Sequence, residues 1–236
     1  MKTKLEIVVM IVFLLLAGAT SSQTMPSAEP SASGYQGDVK VTDFPLQGNA
    51  GASVAIIEYA DFDCPFCRHY KNDIYPRIFA DYIKAGKIKY FWQDFPLRIH
   101  AQALWAARAA RCAGEQGKFW EMRDVLFNAF PNSSEKAVLE QAGTSAIEIS
   151  KLSECLSSER YTNEVFQSIA EGQKLGVNST PTFFLGTIDP DHPGVLRISK
   201  VIRGAYPFPV FEADLDELLA SHSQQQTSST HSKSPQ

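Results

Sequence analysis

The sequence is poor in cysteine and nearly balanced in charge. Four cysteines among 236 residues are too few for a small fold held together by a disulfide framework. The 22 basic and 26 acidic residues leave a formal charge of −4, and no basic run is present, which argues against a nucleic-acid partner. Internal repeats are also lacking. Hydrophobic residues make up 44% of the chain, which is enough to bury the core of one domain.

The apolar run near the N-terminus, Ile7 to Leu16, is too short to span a bilayer, which requires about 20 residues. It follows Lys2 and Lys4 and precedes the small residues Ala17 to Ala19, which is the pattern of a signal peptide. We therefore predict a signal peptide over residues 1–19 and a periplasmic or otherwise exported protein, with an uncleaved membrane anchor as the alternative. In an oxidising compartment, an even number of cysteines favours disulfide chemistry.

Composition divides the rest of the chain into three parts. Residues 20–37 are rich in Ser, Ala, Pro and Gly, which predicts a flexible leader. Residues 221–236 are predicted to be a polar, disordered tail on the same grounds. The intervening residues 38–220 are predicted to form one domain.

This domain is predicted to begin with a strand, a helix and a second strand. The segment Ser53–Ala60 is apolar and contains β-branched residues, which is typical of a buried strand. From Pro65 to about Ala85 large apolar residues recur every four positions, which predicts a helix with a kink at Pro76. The segment Lys87–Phe95 is predicted to be the second strand, paired in parallel with the first.

The remainder of the domain changes from helices back to strands. Residues from about 98 to 175 have helical spacing, and Ser145 to Glu148 match a capping box. After Gly176, the segments T-P-T-F-F-L-G and L-R-I-S-K-V-I-R-G predict a hairpin, and a last helix follows from Phe208. The expected fold class is therefore α/β, with a helical insertion.

The motif C-P-F-C, Cys64 to Cys67, has three possible uses. A structural zinc site needs a second close pair of Cys or His ligands, and the sequence has none. A purely structural disulfide would close a loop of two residues and would stabilise the fold weakly. Redox chemistry explains the placement better, because a cysteine at a helix N-terminus is favoured as a thiolate.

We accordingly predict different roles for the two thiols. Cys64 precedes the predicted helix, and Pro65 suits its first position, where no amide hydrogen is needed. Cys64 is therefore expected to be an exposed nucleophile with a lowered pKa. Cys67, one turn later and more buried, is expected to be the resolving thiol.

Three segments in this order resemble the DsbA-like branch of the thioredoxin superfamily: I-I-E-Y-A-D-F-D-C-P-F-C-R-H-Y, F-W-Q-D-F-P-L and G-V-N-S-T-P-T-F-F-L-G. The resemblance extends from about Val39 to Ala220. It implies a thioredoxin-like fold with an inserted helical domain, and an exported thiol-disulfide oxidoreductase without a bound cofactor. A dithiol oxidase is the leading interpretation; a disulfide isomerase or reductase, and a peptide-binding module that has kept only the fold, are the alternatives.

The resemblance also implies roles for particular residues. Thr180 and Pro181 resemble the cis-proline pair that lies beside the active-site cysteines, although an ordinary trans proline is the commoner form. Glu58 resembles a buried carboxylate beneath the disulfide, with a solvent-facing strand residue as the alternative. Cys112 and Cys155 fall on separate predicted helices, and export, even parity and a second disulfide in some family members favour a structural bond between them.

The same resemblance implies the partners. The substrates would be reduced exported proteins, and a quinone-linked thiol oxidase of the membrane would re-oxidise the enzyme. A monomer is expected, with no metal. The dipeptide Pro65-Phe66 departs from the Pro-His of the strongly oxidising prototype, which leaves the direction of electron flow open.

Overall fold

A computed structural model describes the backbone of residues 37–231 and side chains through residue 224. The predicted signal peptide and nearly all of the predicted leader lie outside the described residues.

A single six-stranded sheet forms the centre of the described part of the chain, in the order β1-β6-β5-β3-β4-β2. Strands β3 and β4 pair in parallel, as predicted, with Val54 opposite Ile88. All other neighbours are antiparallel, including the predicted hairpin of β5 and β6. The three-residue edge strands β1 and β2 were not predicted, because so short a segment has no readable alternation. The strands are β1 (Asp38–Lys40), β2 (Leu46–Gly48), β3 (Val54–Ala60), β4 (Ile88–Asp94), β5 (Thr182–Ile188) and β6 (Val195–Arg203).

The helix predicted after the cysteine motif is present but is not uniform. It consists of α1 (Pro65–His69), a π-helical turn (Tyr70–Ile74), α2 (Tyr75–Ile78) and a second π-helical turn (Phe79–Ile83). Proline cannot donate the bond that an α-helix needs in its interior. Pro76 instead lies in the first turn of α2, immediately after a wider turn in which the Tyr75 N–H bonds to the Tyr70 carbonyl.

Between β4 and β5 lies the predicted helical insertion. Ser145 does not cap a helix as predicted, because Ala146 has a φ of 57°, outside the helical region. The next helix begins only after Glu148, and the side-chain cap in this region is instead Ser134, whose hydroxyl accepts a bond from the Ala137 N–H. The helices are α3 (Ala103–Gly114), α4 (Phe119–Ala129), α5 (Glu135–Gly143), α6 (Ile149–Ser157) and α7 (Thr162–Lys174).

Strand β3 is buried on both faces of the sheet. Val54 and Ile56 pack with the helical segment after the cysteine motif and with the last helix, and Ile57 packs on the opposite face. Because side chains alternate along a strand, Glu58 shares the face of Ile56. A third apolar cluster joins the insertion to this end of the sheet and includes Cys64.

The last helix, α8 (Phe208–His231), corrects the predicted domain boundary. The segment predicted as a disordered tail is helical as far as His231. Phe211 and Leu215 are buried against the sheet and anchor the helix, and no glycine or proline follows before Pro235. Once a helix is nucleated, each further residue adds a backbone bond at little cost. Within residues 37–231, no helix has both the length and the apolar composition needed to cross a bilayer.

Candidate active site

Cys64 is the residue that caps the N-terminus of α1, with Pro65 in the first turn as predicted. Its own N–H bonds to the Asp61 carbonyl, and its carbonyl accepts the N–H of Arg68. The prediction of an exposed thiol was wrong, because only 3% of the Cys64 surface is accessible. The loop of Thr180 covers the sulfur, and Sγ of Cys64 donates a hydrogen bond of 3.4 Å to the Thr180 carbonyl.

The pKa of Cys64 is lowered from 9.0 to about 6. The largest cause is a hydrogen bond from the Cys67 thiol, which outweighs the burial that opposes ionisation. The N–H groups of Phe66 and Cys67 contribute further hydrogen bonds. Two of these donors are unpaired amides of the first helical turn, which is the effect expected at a helix N-terminus. Cys64 is therefore a thiolate at neutral pH when the pair is reduced.

Cys67 has the opposite character. It is inaccessible to solvent, and burial raises its pKa well above the ordinary value. The hydrogen bond to Cys64 and the negative charges of Cys64 and Glu58 raise it further. The two sulfurs therefore share one proton, which stays on Cys67. Among the described residues no three His, Cys, Asp or Glu side chains are grouped to hold a metal ion.

Thr180 and Pro181 lie beside Cys64, although 116 residues separate Thr180 from it in sequence. The peptide bond between Thr180 and Pro181 is cis. The Pro181 carbonyl accepts the N–H of Gly204, which ties the loop to the end of β6. The structure thus brings together the helix start and the proline loop, which the sequence could place only by resemblance.

Glu58 lies on β3 with no accessible surface, so the solvent-facing alternative is excluded. Its Oε2 accepts the hydroxyl of Tyr90 at 2.6 Å and lies 3.4 Å from Nη2 of Arg123. Tyr90 also bonds to the hydroxyl of Tyr70 at 3.1 Å. Burial raises the pKa of Glu58, although Arg123 and Tyr90 act in the opposite direction.

Arg123 on α4 is the partner of Glu58 that the sequence did not reveal. Only 1% of it is accessible, and its guanidinium lies 4.2 Å from the centre of the Tyr75 ring. The sequence nevertheless indicated that Arg123 is buried, because it follows Phe119 by four residues and precedes Leu126 by three, within the apolar face of the helix. A charge on such a face indicates a buried ion pair.

A second group that the sequence did not reveal is an acid and a histidine close to Cys64. Asp61 follows β3 and has a fully buried side chain, and its Oδ2 lies 2.7 Å from Nδ1 of His100. His100 belongs to the loop after β4, and none of its neighbours in sequence marks it as a functional residue. The contact depends on two strand ends meeting at the same edge of the sheet, which only the fold provides.

Cys112 and Cys155 form the disulfide predicted for them. The bond joins α3 to α6 across a sequence separation of 43 residues, with a Cα separation of 5.8 Å. Both cysteines are buried within the apolar core of the insertion. The disulfide therefore links two helices of the insertion to each other. Cys64 and Cys67 are both free thiols in this structure.

Comparison with known proteins agrees with this arrangement. The sequence matches the thioredoxin family model over residues 40–203, which is most of the chain. The chain belongs to the thioredoxin family. The fold of this thioredoxin-family protein is similar to that of alpha-DsbA1 from Wolbachia pipientis, with a TM-score of 0.69 and 22% sequence identity over 79% of this chain and 96% of that one. The resemblance to DsbA proteins is thereby confirmed in the fold.

Two curated relatives are similar in sequence. Disulfide bond formation protein D of Bacillus subtilis is 26% identical over 161 residues, covering 63% of this chain and 70% of that protein. A protein of Salinispora tropica named Na(+)/H(+) antiporter NhaA 3 is 32% identical over 141 residues, covering 59% of this chain. This thioredoxin-family chain spans only 21% of the length of the latter relative.

Proposed function

We propose that this protein is an exported thiol-disulfide oxidoreductase that acts as a dithiol oxidase through Cys64 and Cys67. The observation that carries the proposal is the asymmetry of the two thiols. The pKa of Cys64 is lowered to about 6, whereas that of Cys67 is raised. Stabilising the Cys64 thiolate stabilises the reduced enzyme, and a stable reduced form makes the disulfide a stronger oxidant.

The proposed reaction begins from the Cys64–Cys67 disulfide. A substrate thiolate attacks Sγ of Cys64, the Cys64–Cys67 bond breaks, and Cys67 leaves with the electron pair and takes up a proton. A second substrate thiolate then attacks the substrate sulfur of the mixed disulfide, which releases Cys64 as a thiolate. The substrate dithiol loses two electrons, and the Cys64–Cys67 disulfide gains them.

Glu58 is proposed to supply the proton that Cys67 takes up. Its charge acts on the Cys67 thiol, and burial raises the pKa of Glu58, so that protonation is easier than for an exposed carboxyl. Tyr90, bonded to Oε2 of Glu58, orients that carboxyl. Once Glu58 has given up this proton, Arg123, 3.4 Å away, compensates its negative charge.

Substrate chains are proposed to bind across the proline loop. Thr180 and Pro181 offer backbone groups next to Cys64, and Phe66, within the cysteine motif itself, exposes 62% of its surface. An exposed aromatic next to a reactive sulfur suits an unfolded chain that presents apolar side chains. The proposed substrates are accordingly reduced exported proteins, and no nucleic-acid partner is proposed.

The remaining features follow from the resemblance to DsbA-like proteins. A quinone-linked thiol oxidase of the membrane is proposed to restore the Cys64–Cys67 disulfide, and no bound cofactor is needed for the exchange. The predicted signal peptide at residues 1–19 and the predicted leader are the basis for proposing export to the periplasm or outside the cell. A monomer is proposed.

The deciding experiment is the equilibrium reduction potential of the Cys64–Cys67 pair, titrated against glutathione, with Cys112 and Cys155 followed separately by mass. An oxidase is expected to lie near the value of about −120 mV that is typical of strong disulfide donors. A value near about −270 mV, typical of thioredoxin, would make the protein a reductase.

A functional assay separates the oxidase from the peptide-binding module. The oxidised protein is mixed with a reduced, unfolded protein, and the disulfides formed are counted by mass. Cys64→Ser should abolish disulfide transfer, whereas a Cys112→Ala/Cys155→Ala control should retain it. If the natural protein formed no disulfides, and it and Cys64→Ser bound the unfolded protein equally well, a binding role would replace the proposed one.

A further inference from the structure

The buried carboxylate of Asp61 connects the approach to Cys64 with the loop that follows β4. Its Oδ1 accepts the N–H of Asp63 at 2.8 Å, and its main-chain carbonyl accepts the N–H of Cys64 at 3.1 Å. Its Oδ2 accepts the N–H of Leu97 at 2.8 Å and lies 2.7 Å from Nδ1 of His100. The Asp61 side chain thus holds two groups in place: the residues that precede Cys64, and the imidazole of His100.

His100 is oriented by this contact. Because Nδ1 faces the Asp61 carboxylate, Nε2 points away from it and is the nitrogen that gains or loses a proton. The side chain keeps 16% of its surface accessible and lines a groove together with Val177 and Asn178, which lead into the loop of Thr180. The groove therefore ends two residues before Thr180, and the charge of Cys64 acts on His100.

We propose that His100, held by Asp61, provides the positive charge that stabilises the Cys64 thiolate and so strengthens the disulfide as an oxidant. Asp61 is the positioning residue of this pair. The inference rests on the proposed function, which it deepens by naming a further residue that sets the redox balance.

The charges around His100 are consistent with this role. Burial lowers the pKa of His100, but the hydrogen bond to Asp61 and the negative charges of Asp61, Cys64 and Asp63 outweigh it and raise the pKa overall. Arg98, from the same loop, also lines the groove and opposes protonation, whereas the groove residues contributed by α3 and α7 carry no charge. Adding a proton to His100 always changes the local charge by one positive unit, which favours the thiolate.

The effect must be reciprocal. If the His100 imidazolium stabilises the Cys64 thiolate, the thiolate must raise the pKa of the imidazole by the same free energy. We therefore expect the His100 pKa to be higher in the reduced protein than in the oxidised protein. NMR titration of the histidine ring protons in both redox states measures this on the unaltered protein.

His69 provides a matched control. Its Nδ1 lies 2.7 Å from Oδ2 of Asp73, the same separation as in the Asp61–His100 pair, but its side chain is 55% exposed on the helical segment after the cysteine motif. A His100 pKa that is equal in the two redox states would overturn the proposal.

A substitution gives the second measurement. His100→Gln keeps a polar side chain but removes the titrating charge, and His69→Gln is its control. In His100→Gln the alkylation rate of Cys64 at pH 6 should fall by about two- to fivefold, and the equilibrium constant with glutathione should move by the same factor toward a weaker oxidant; fivefold corresponds to about 20 mV. The difference between the two equilibrium constants should vanish above the His100 pKa, where the natural side chain is also neutral.

Either of two results would contradict the proposal: a His100→Gln shift no larger than that of His69→Gln, or a change in the equilibrium constant that persists above the His100 pKa, which a merely structural role would produce. Neither measurement uses a substrate. A protein that failed to transfer disulfides but showed the coupling would overturn the proposed function alone, and the reverse result would overturn only the role of His100.

Discussion

The ionisation of Cys64 is the property on which the proposed chemistry depends most directly. With a pKa lowered from 9.0 to about 6, the thiolate should outnumber the thiol by about tenfold at pH 7, whereas an unperturbed thiol would be about 1% ionised. The rate of alkylation of Cys64 should therefore reach half of its maximum near pH 6. It should change little between pH 7.5 and 9.

The same shift predicts how stability depends on pH. The folded-state pKa of Cys64 lies below the unfolded value of about 8.5. Ionisation of Cys64 therefore stabilises the folded protein fully above pH 8.5, and this stabilisation is lost as the pH falls through about 6. A shift of 2.5 to 3 units corresponds to about 3–4 kcal/mol of unfolding free energy. The contribution exists only while Cys64 is a free thiol.

Two variants isolate this contribution. Cys67→Ser leaves Cys64 free, keeps a hydroxyl donor beside it and needs no reductant, so that the Cys112–Cys155 bond stays intact. The reference is Cys64→Ser/Cys67→Ser, which has no thiol to titrate. Urea denaturation of both at pH 5, 6, 7 and 8.5 should show the difference between their unfolding free energies growing by about 3–4 kcal/mol across the range. A constant difference, or an alkylation midpoint near pH 8.5, would refute the reasoning.

Two further predictions concern stability. Cys112→Ala/Cys155→Ala removes the disulfide that closes a loop with a sequence separation of 43, and should lower the unfolding free energy by about 4 kcal/mol. The melting temperature should fall by about 8–16 °C. A change below about 2 °C in thermal denaturation would be incompatible with a structural disulfide. Arg123→Met leaves Glu58 buried without its cation and should lower the unfolding free energy by about 3–5 kcal/mol at pH 7. The loss should be smaller at pH 4, where protonation of Glu58 removes the unpaired charge. Adding Glu58→Gln should recover part of the loss, and equal losses at the two pH values in urea denaturation would argue against an ion pair.

Several features could be predicted because they depend on neighbours in sequence. The apolar run Val54–Ala60 specifies a strand with no exposed face, and Pro65 directly after Cys64 specifies a helix start. The lowered pKa of Cys64 follows in part from these local features, since two of its causes are amides of the first helical turn. The parallel pairing of β3 with β4 follows from the helix between them.

Other features depend on contacts between distant segments. The exposure of Cys64 was predicted wrongly because the Thr180 loop, 116 residues away, covers the sulfur. The partners Arg123 for Glu58 and His100 for Asp61 come from separate elements, and no local pattern pairs them.

By itself, the sequence determined the order of the four longer strands and the placement of two thiols at the start of a helix, because periodicity, proline position and cysteine spacing act over a few residues. Only the tertiary structure decided which charges share the interior with those thiols. Hydrogen bonds and ion pairs in a buried site depend on separations of about 3 Å, and residues such as Glu58 and Arg123 reach such separations only when the insertion packs on the sheet.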